Sequence, residues 1–296
     1  MPETVNAEKT AVLESRLEQL LTPKEKAGKA LYEAMAYSTL NGGKRVRAML
    51  AFLFCQAVPG DGDWLKVLDY AAAVEMIHAA SLIHDDLPAM DNDDFRRGKP
   101  SNHKVYGEAG AILAGDGLII KAFEVAASNP FCTPAQNMKA VGILASRTGA
   151  DGMTAGQMLD IYGDESKIDG ETLKTLHTLK TSCLISAACM LGCVAAGGSE
   201  IQQKAAEEFG ICLGLAFQIK DDILDIEGDF EKMGKTPGKD AKENKATYPA
   251  LFGLEKSRKM CGELTERAVA ALSEFGDSAA AEELKNLAFR LLDRKF

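Results

Sequence analysis

Prolines are few, nine in 296 residues, and six Tyr, twelve Phe and one Trp make aromatics only 6% of the chain. With 46% hydrophobic and 26% charged residues, neither a collagen-like nor a disordered polymer fits, and a folded core is expected. Positive charge is also in deficit: 34 Lys and Arg against 43 Asp and Glu leave a net charge of -9. That balance argues against a general nucleic-acid or anionic-membrane binder and leaves only local basic patches. None of the seven cysteines forms a Cys-x-x-Cys pair, and Cys183, Cys189 and Cys193 lie in an Ala-rich apolar run. Such thiols behave as small buried hydrophobes. Glu3, Glu8, Glu14 and Glu18 punctuate the first residues, which lack the apolar centre of a secretory signal. A reducing, cytoplasmic location is the expectation.

Alternating Val/Ile/Thr patterns are scarce as well, whereas Ala, Leu, Met, Glu and Lys recur throughout, so an all-α fold is expected. The pattern predicts helices over 6–20, 24–38, 44–57, 64–86, 105–127, 134–147, 170–196, 200–226, 247–273 and 277–293. Thr22-Pro23, Asn129-Pro130 and Gly197-Gly198-Ser199 read as boundaries. No linker-like stretch divides the chain, so residues 1–296 are expected to form one domain. The uncharged run from Thr181 to Ser199 imitates a membrane span. Its Ser, Gly and Ala content favours a buried helix instead, without stable membrane insertion.

Two acidic clusters end long apolar segments. The first is His84-Asp85-Asp86-Leu87-Pro88-Ala89-Met90-Asp91-Asn92-Asp93-Asp94. In an unbroken helix Asp85 and Asp91 would sit about 240° apart, so their convergence requires a turn around Pro88. In the second, Asp221-Asp222-Ile223-Leu224-Asp225, Asp221 and Asp225 share one helical face. Clustered carboxylates beside apolar surface are costly without a counterion, and hard oxygen ligands combined with phosphates select Mg²⁺. Solvated helix ends are the plainer alternative, although acid there opposes the helix dipole.

Cations cluster too. Gly42-Gly43-Lys44-Arg45-Val46-Arg47 puts Lys44 and Arg47 three apart at an expected helix start. Arg96 and Arg97 follow the first acidic cluster, Lys180 precedes Thr181, and Lys235 and Lys245 flank the loop after the second. Planar Arg forks and mobile Lys charges suit a substrate with two or more phosphoryl groups, and a solvated face equally. Three near misses fall away. Asp229 stands where a nucleotide-binding phosphate loop ending at Gly234-Lys235-Thr236 needs its first Gly, Phe95 blocks a calcium-loop ligand position, and His78 and His84 lack zinc-pair spacing. Mg²⁺ and a diphosphate are implied, with the organic part left open.

The chain resembles the short-chain trans-prenyl diphosphate synthases, of the bacterial farnesyl and plastid-type geranylgeranyl class, from about residue 30 to its end. Carriers of the resemblance are the Gly42–Arg47 run, His84–Asp91 with Arg96-Arg97-Gly98, and Gly156-Gln157-x-x-Asp160. His177-x-x-Lys180-Thr181, Phe217-Gln218-x-x-Asp221-Asp222-x-x-Asp225 and Gly234-Lys235 complete the set. Each is weak alone, but their order and spacing together are specific.

This resemblance implies an isoprenoid-synthase helical fold around a central cavity, a homodimer, and three Mg²⁺ ions per site. Asp85 and Asp91 on one wall and Asp221 with Asp225 on the other would be metal ligands. Lys44, Arg47, His78 and Arg97 would bind isopentenyl diphosphate, a role for His78 that its own neighbours do not suggest. Arg96, Lys180, Lys235 and Lys245 would bind the allylic diphosphate (dimethylallyl, geranyl or farnesyl), and Thr181 and Gln218 would face its cation. Asn92 departs from the acidic run of many farnesyl synthases. Ala80-Ser81 replaces an aromatic neighbourhood, and with Ile77 and Met76 as the next bulky groups the expected main product is C20 geranylgeranyl diphosphate. C15 remains open. A non-catalytic subunit would lack aspartates or cationic partners, and a terpene cyclase would not need the isopentenyl diphosphate set.

Overall fold

The computed structural model describes residues 3–60, 62–163, 168–227 and 246–293. Helices α1 (Glu3–Leu20), α2 (Lys29–Thr39), α3 (Val46–Ala57) and α4 (Leu68–Asp85) precede a two-stranded hairpin, β1 (Phe95–Arg96) with β2 (Lys99–Pro100). Helices α5 (Asn102–Ala127), α6 (Pro134–Thr148), α7 (Met153–Tyr162), α8 (Gly170–His177), α9 (Cys183–Ala195) and α10 (Glu200–Glu227) follow. Then come α11 (Tyr248–Phe252), α12 (Leu254–Ala271) and α13 (Ala279–Asp293).

Local chemistry accounts for the ends of these helices. Thr133 and Gln136 form a reciprocal capping box around Pro134 at the start of α6, satisfying amide groups that no preceding turn can reach. Asp169 caps α8 by accepting the Thr172 N–H, and Thr247 caps α11 by accepting the Ala250 N–H, without the reciprocal bond. The expected helix over 247–273 divides at Gly253, whose φ of 78° places it in left-handed backbone. Thr22-Pro23 does not open a helix; Lys26–Gly28 forms a single 3-10 turn before α2. Two elements escape the sequence pattern. Helix α7 carries Gly156 at its centre, which weakens its propensity, and the hairpin strands are only two residues each.

Helix α9 runs through the core. All its residues except Met190 are buried, packed against α3, α4, α6 and α10. Gly170–Ala195 is the one described helical stretch long and apolar enough to cross a membrane, and 72% of its apolar window is buried inside the fold. Burial in a helical core, worth about 25 cal/mol per Å² of apolar surface, explains its composition. Between α8 and α9 the helix widens into one π-turn, Thr178–Ser182. That insertion rotates Lys180 and Thr181 relative to the α9 core face, a device common at functional sites.

Candidate active site

Asp85 ends α4, and the chain then turns as the spacing required. The Asp91 N–H donates to the Asp85 carbonyl at 2.8 Å, and the Asn92 N–H to the Leu87 carbonyl at 3.1 Å, closing a loop around Pro88. Burial pushes the Asp85 carboxyl up to about 6, with Lys180 opposing and Asp91 adding to the rise. A carboxyl desolvated in this way has its charged form favoured by a nearby cation. Asp86 is buried and held by Arg96, which donates from Nε at 2.9 Å and also reaches Asp93 at 3.3 Å. Beyond it the hairpin closes through Arg97 and Gly98, at φ 52° and 75°, a primed turn suited to strand twist.

The Gly42–Arg47 segment lies against this hairpin. Arg97 donates to the Gly42 carbonyl, and a Cβ at Gly43 would fall 2.8 Å from the Arg97 guanidinium, so only Gly fits at this φ of 123°. Arg45 is left-handed at φ 46° and helix α3 begins after it. The three-residue helical adjacency expected of Lys44 and Arg47 therefore does not hold. Lys44 is exposed along a groove with Ala7, Thr10 and Met49, while Arg47 lines a cavity beside Asp85 and Lys180.

That cavity is walled by Arg47, Ile77, His78, Ser81, Asp85, Gln157, Lys180 and Thr181, among others. Arg47 Nε and Gln157 Nε2 are buried and find no hydrogen-bond partner among the described residues. Orphaned donors are rare in folded proteins, and two on one cavity mark a place for an acceptor-rich ligand. Burial lowers His78 well below the ordinary imidazole range, and Arg47 and Arg97 deepen the shift, so the ring is neutral. Lys180 Nζ donates to Asp160 Oδ2 at 2.5 Å, and Thr181 Oγ1 to Gln218 Oε1 at 3.2 Å. Lys180 and Thr181 also line an adjoining pocket with Asp160, His177, Gln218 and Asp222, so the π-turn separates and serves both spaces. His177 is lowered to about 4, chiefly by burial.

On α10, Asp222 is buried and accepts the Tyr248 N–H at 3.0 Å, while Asp221 and Asp225 are half-buried one turn apart. Lys235 and Lys245 lie outside the described residues. Among the described residues no three or more Asp, Glu, His or Cys side chains converge closely enough to hold a metal by themselves. Mg²⁺ keeps waters and takes substrate phosphate oxygens, so one or two carboxylates per ion fit it.

The expected tail-facing residues divide. Ser81 and Ile77 line the cavity, whereas Ala80 and Met76 are fully buried and do not. Helical geometry explains the correction: at about 100° per residue Ser81 stays within about 40° of Asp85, and Ala80 points about 140° away. Gln157, Asp160 and Arg45 have site or scaffold positions to which residue pattern alone assigned no role. Their signal was present only as spacing around Gly156 and Gly43.

A helical cavity at the acidic end of α4, with Lys180 and the unpartnered Arg47 donor on its wall, suits an anionic, acceptor-rich substrate. The chain belongs to the polyprenyl synthetase family, which it matches over residues 28–287, and it is a prenyltransferase. It is 44% identical over 276 residues to a chloroplastic geranylgeranyl pyrophosphate synthase of Capsicum annuum, covering 93% of this chain and 74% of that protein. Geranylgeranyl pyrophosphate synthase 7, chloroplastic, of Arabidopsis thaliana is 45% identical over 268 residues, 90% of this chain and 76% of its own. The solved structure of a Helicobacter pylori geranyltransferase complexed with magnesium and isoprenyl diphosphate superposes with a TM-score of 0.85 at 32% identity, covering 99% and 98% of the two chains. The isoprenoid-synthase helical fold is thereby established.

The cytoplasmic expectation is overturned, because these curated relatives are chloroplastic enzymes. Cysteines held as free thiols fit a reducing compartment. They do not distinguish the cytosol from another reducing space.

Proposed function

We propose that the protein joins isopentenyl diphosphate head-to-tail to dimethylallyl, geranyl and farnesyl diphosphates, releasing mainly geranylgeranyl diphosphate. The observation that carries this reading is the single cavity where Asp85, the orphaned Arg47 donor and the Lys180–Thr181 π-turn meet. Asp85 and Asp91 on one side, and Asp221 with Asp225 on the other, are the residues to hold Mg²⁺, three ions by family resemblance. Bound there, Mg²⁺ neutralises diphosphate charge.

The chain's own groups do the rest. Lys180, fixed by Asp160, presents a positive charge to the departing allylic diphosphate, together with Arg96, Lys235 and Lys245. Thr181 spends its proton on Gln218, so its oxygen offers lone pairs to the allylic cation without offering a nucleophilic base close by. Arg47 and His78 on the cavity wall bind isopentenyl diphosphate, Arg97 and the exposed Lys44 reach it from outside that wall, and its double bond forms the new C–C bond as the allylic C–O bond breaks. The released diphosphate takes the final proton. Incubation with Mg²⁺, farnesyl diphosphate and labelled isopentenyl diphosphate, followed by chromatography of the dephosphorylated products, is expected to yield a labelled C20 alcohol. No labelled product would reject the activity, and a geranyl-primed reaction stopping at C15 would reject the product.

Product length tests the cavity wall. Ser81 and Ile77 lie about 6 and 12 Å below Asp85 along the helix axis. Ser81→Phe is expected to place a floor in the tail channel and shift the product to C15, while Ala80→Tyr, pointing into the core, lowers the melting temperature through overpacking. An active Ser81→Phe that still makes C20 rejects this wall.

A homodimer is proposed from α5, whose Ile112, Leu113 and Ile120 are 44%, 60% and 71% exposed. Large apolar side chains side by side on one helix mark an association surface. Leu113→Glu is expected to halve the mass found by sedimentation, and an unchanged mass would reject this face. One domain over 1–296 and no stable membrane insertion complete the proposal.

A further inference from the structure

Helix α1 lies outside the residues that match the family, yet it reaches the back of the Gly42–Arg47 segment. The pivot is Arg45, 4% exposed and in left-handed backbone that a non-glycine residue adopts only when its surroundings enforce it. Its guanidinium donates from Nε to Glu14 Oε1 at 2.7 Å, from Nη1 to Glu75 Oε2 at 3.2 Å, and from Nη2 to the Thr39 carbonyl at 2.7 Å. The other Glu75 oxygen accepts the Ala48 N–H at 3.2 Å. Thr39 ends α2 and Ala48 lies in the first turn of α3, so one ion-pair network satisfies a terminal backbone group of both helices flanking the loop. Glu75 also stands one turn before His78 on α4, joining the loop to the opposite cavity wall.

We infer that Glu14 of the N-terminal helix is a positioning residue for isopentenyl diphosphate, acting through Arg45 to hold the segment that carries Lys44 and Arg47. The inference rests on the assignment of that substrate to Lys44 and Arg47. Without the Glu14 charge, Arg45 keeps Glu75 and Thr39, but the charge-assisted bond at its Nε is reduced to a weaker, neutral one. The loop then samples other conformations, and the bound-state geometry must be reselected on each binding event. Helix α1 has a second anchor that does not touch the loop: Arg16 clasps Asp69 at 2.7 and 3.0 Å. That pair separates docking of α1 as a whole from the specific action of Glu14.

The test measures kcat, the KM of each substrate and the melting temperature for full-length Glu14→Gln, Arg16→Gln and Arg47→Ala. Glu14→Gln is expected to raise the isopentenyl diphosphate KM about 5- to 10-fold, with the allylic KM and kcat within about two-fold of wild type. Arg16→Gln is expected to lower the melting temperature with neither KM changed. An equal rise in isopentenyl diphosphate KM for Glu14→Gln and Arg16→Gln would reduce the effect to α1 docking and overturn the inference. So would an unchanged KM in Glu14→Gln beside a raised one in Arg47→Ala. An unchanged KM in Arg47→Ala would instead overturn the underlying substrate assignment.

Discussion

Asp85→Asn is expected to cut turnover by about three orders of magnitude while leaving the metal-free protein at least as stable as wild type. Preorganised charge stabilisation commonly supplies several kcal/mol of a barrier, and the amide keeps the side-chain shape but loses the ligand charge. The stability effect follows from the Asp85 carboxyl, which burial raises to about 6. A carboxyl raised in the folded state favours folding while protonated, fully below about pH 4, and that contribution is lost as the pH rises through about 6. At pH 8 the metal-free wild type thus holds a poorly compensated buried charge, costing of the order of 2 kcal/mol. Calorimetry in a chelator is expected to show the variant melting higher than wild type at pH 8, with the difference narrowed by about half at pH 5 and closed below about pH 4. Normal turnover under saturating Mg²⁺ would reject the metal-ligand assignment. A lower melting temperature at pH 8 would reject the burial account.

Gly156→Ala is expected to have a large effect for a single added methyl group. The added Cβ would fall 2.2 Å from the Lys180 amide nitrogen and 2.7 Å from the Leu179 carbonyl carbon. Both are backbone, so no rotamer change relieves the clash, and α7 or the π-turn must move. Overpacking of this kind costs about 3 kcal/mol or more, a fall of roughly 5 °C or more in melting temperature. The displaced segment is the one carrying Lys180 and Thr181, with Asp160 on the facing helix as the Lys180 partner. A displacement near 1 Å at catalytic groups costs about 100-fold in rate. Turnover is therefore expected to fall at least that far even at temperatures where circular dichroism shows the variant folded. A variant with wild-type melting temperature and rate would show that α7 and the π-turn do not pack this closely.

The all-helical class and most helix positions were legible along the chain, because periodic apolar residues and end signals such as Thr133-Pro134 act locally. So were the two acidic clusters and the need for a turn at Pro88, which the Asp91-to-Asp85 hydrogen bond satisfies. Helix α7 was not, since its reason for existing is the contact that Gly156 makes with a segment more than twenty residues away.

Residue types and their spacing by themselves pointed to the chemistry proposed for this protein: carboxylates for a hard cation, and Arg and Lys for phosphoryl oxygens. Only the tertiary structure decided which groups are neighbours. It turned Ser81 rather than Ala80 toward the cavity, left the Arg47 Nε donor without a partner among the described residues, paired Arg96 with Asp86 and brought Glu14 to Arg45. The physical reason is that charge and hydrogen-bonding capacity belong to a residue wherever it lies. Desolvation, side-chain direction and the partner within 3 Å arise when distant segments pack together.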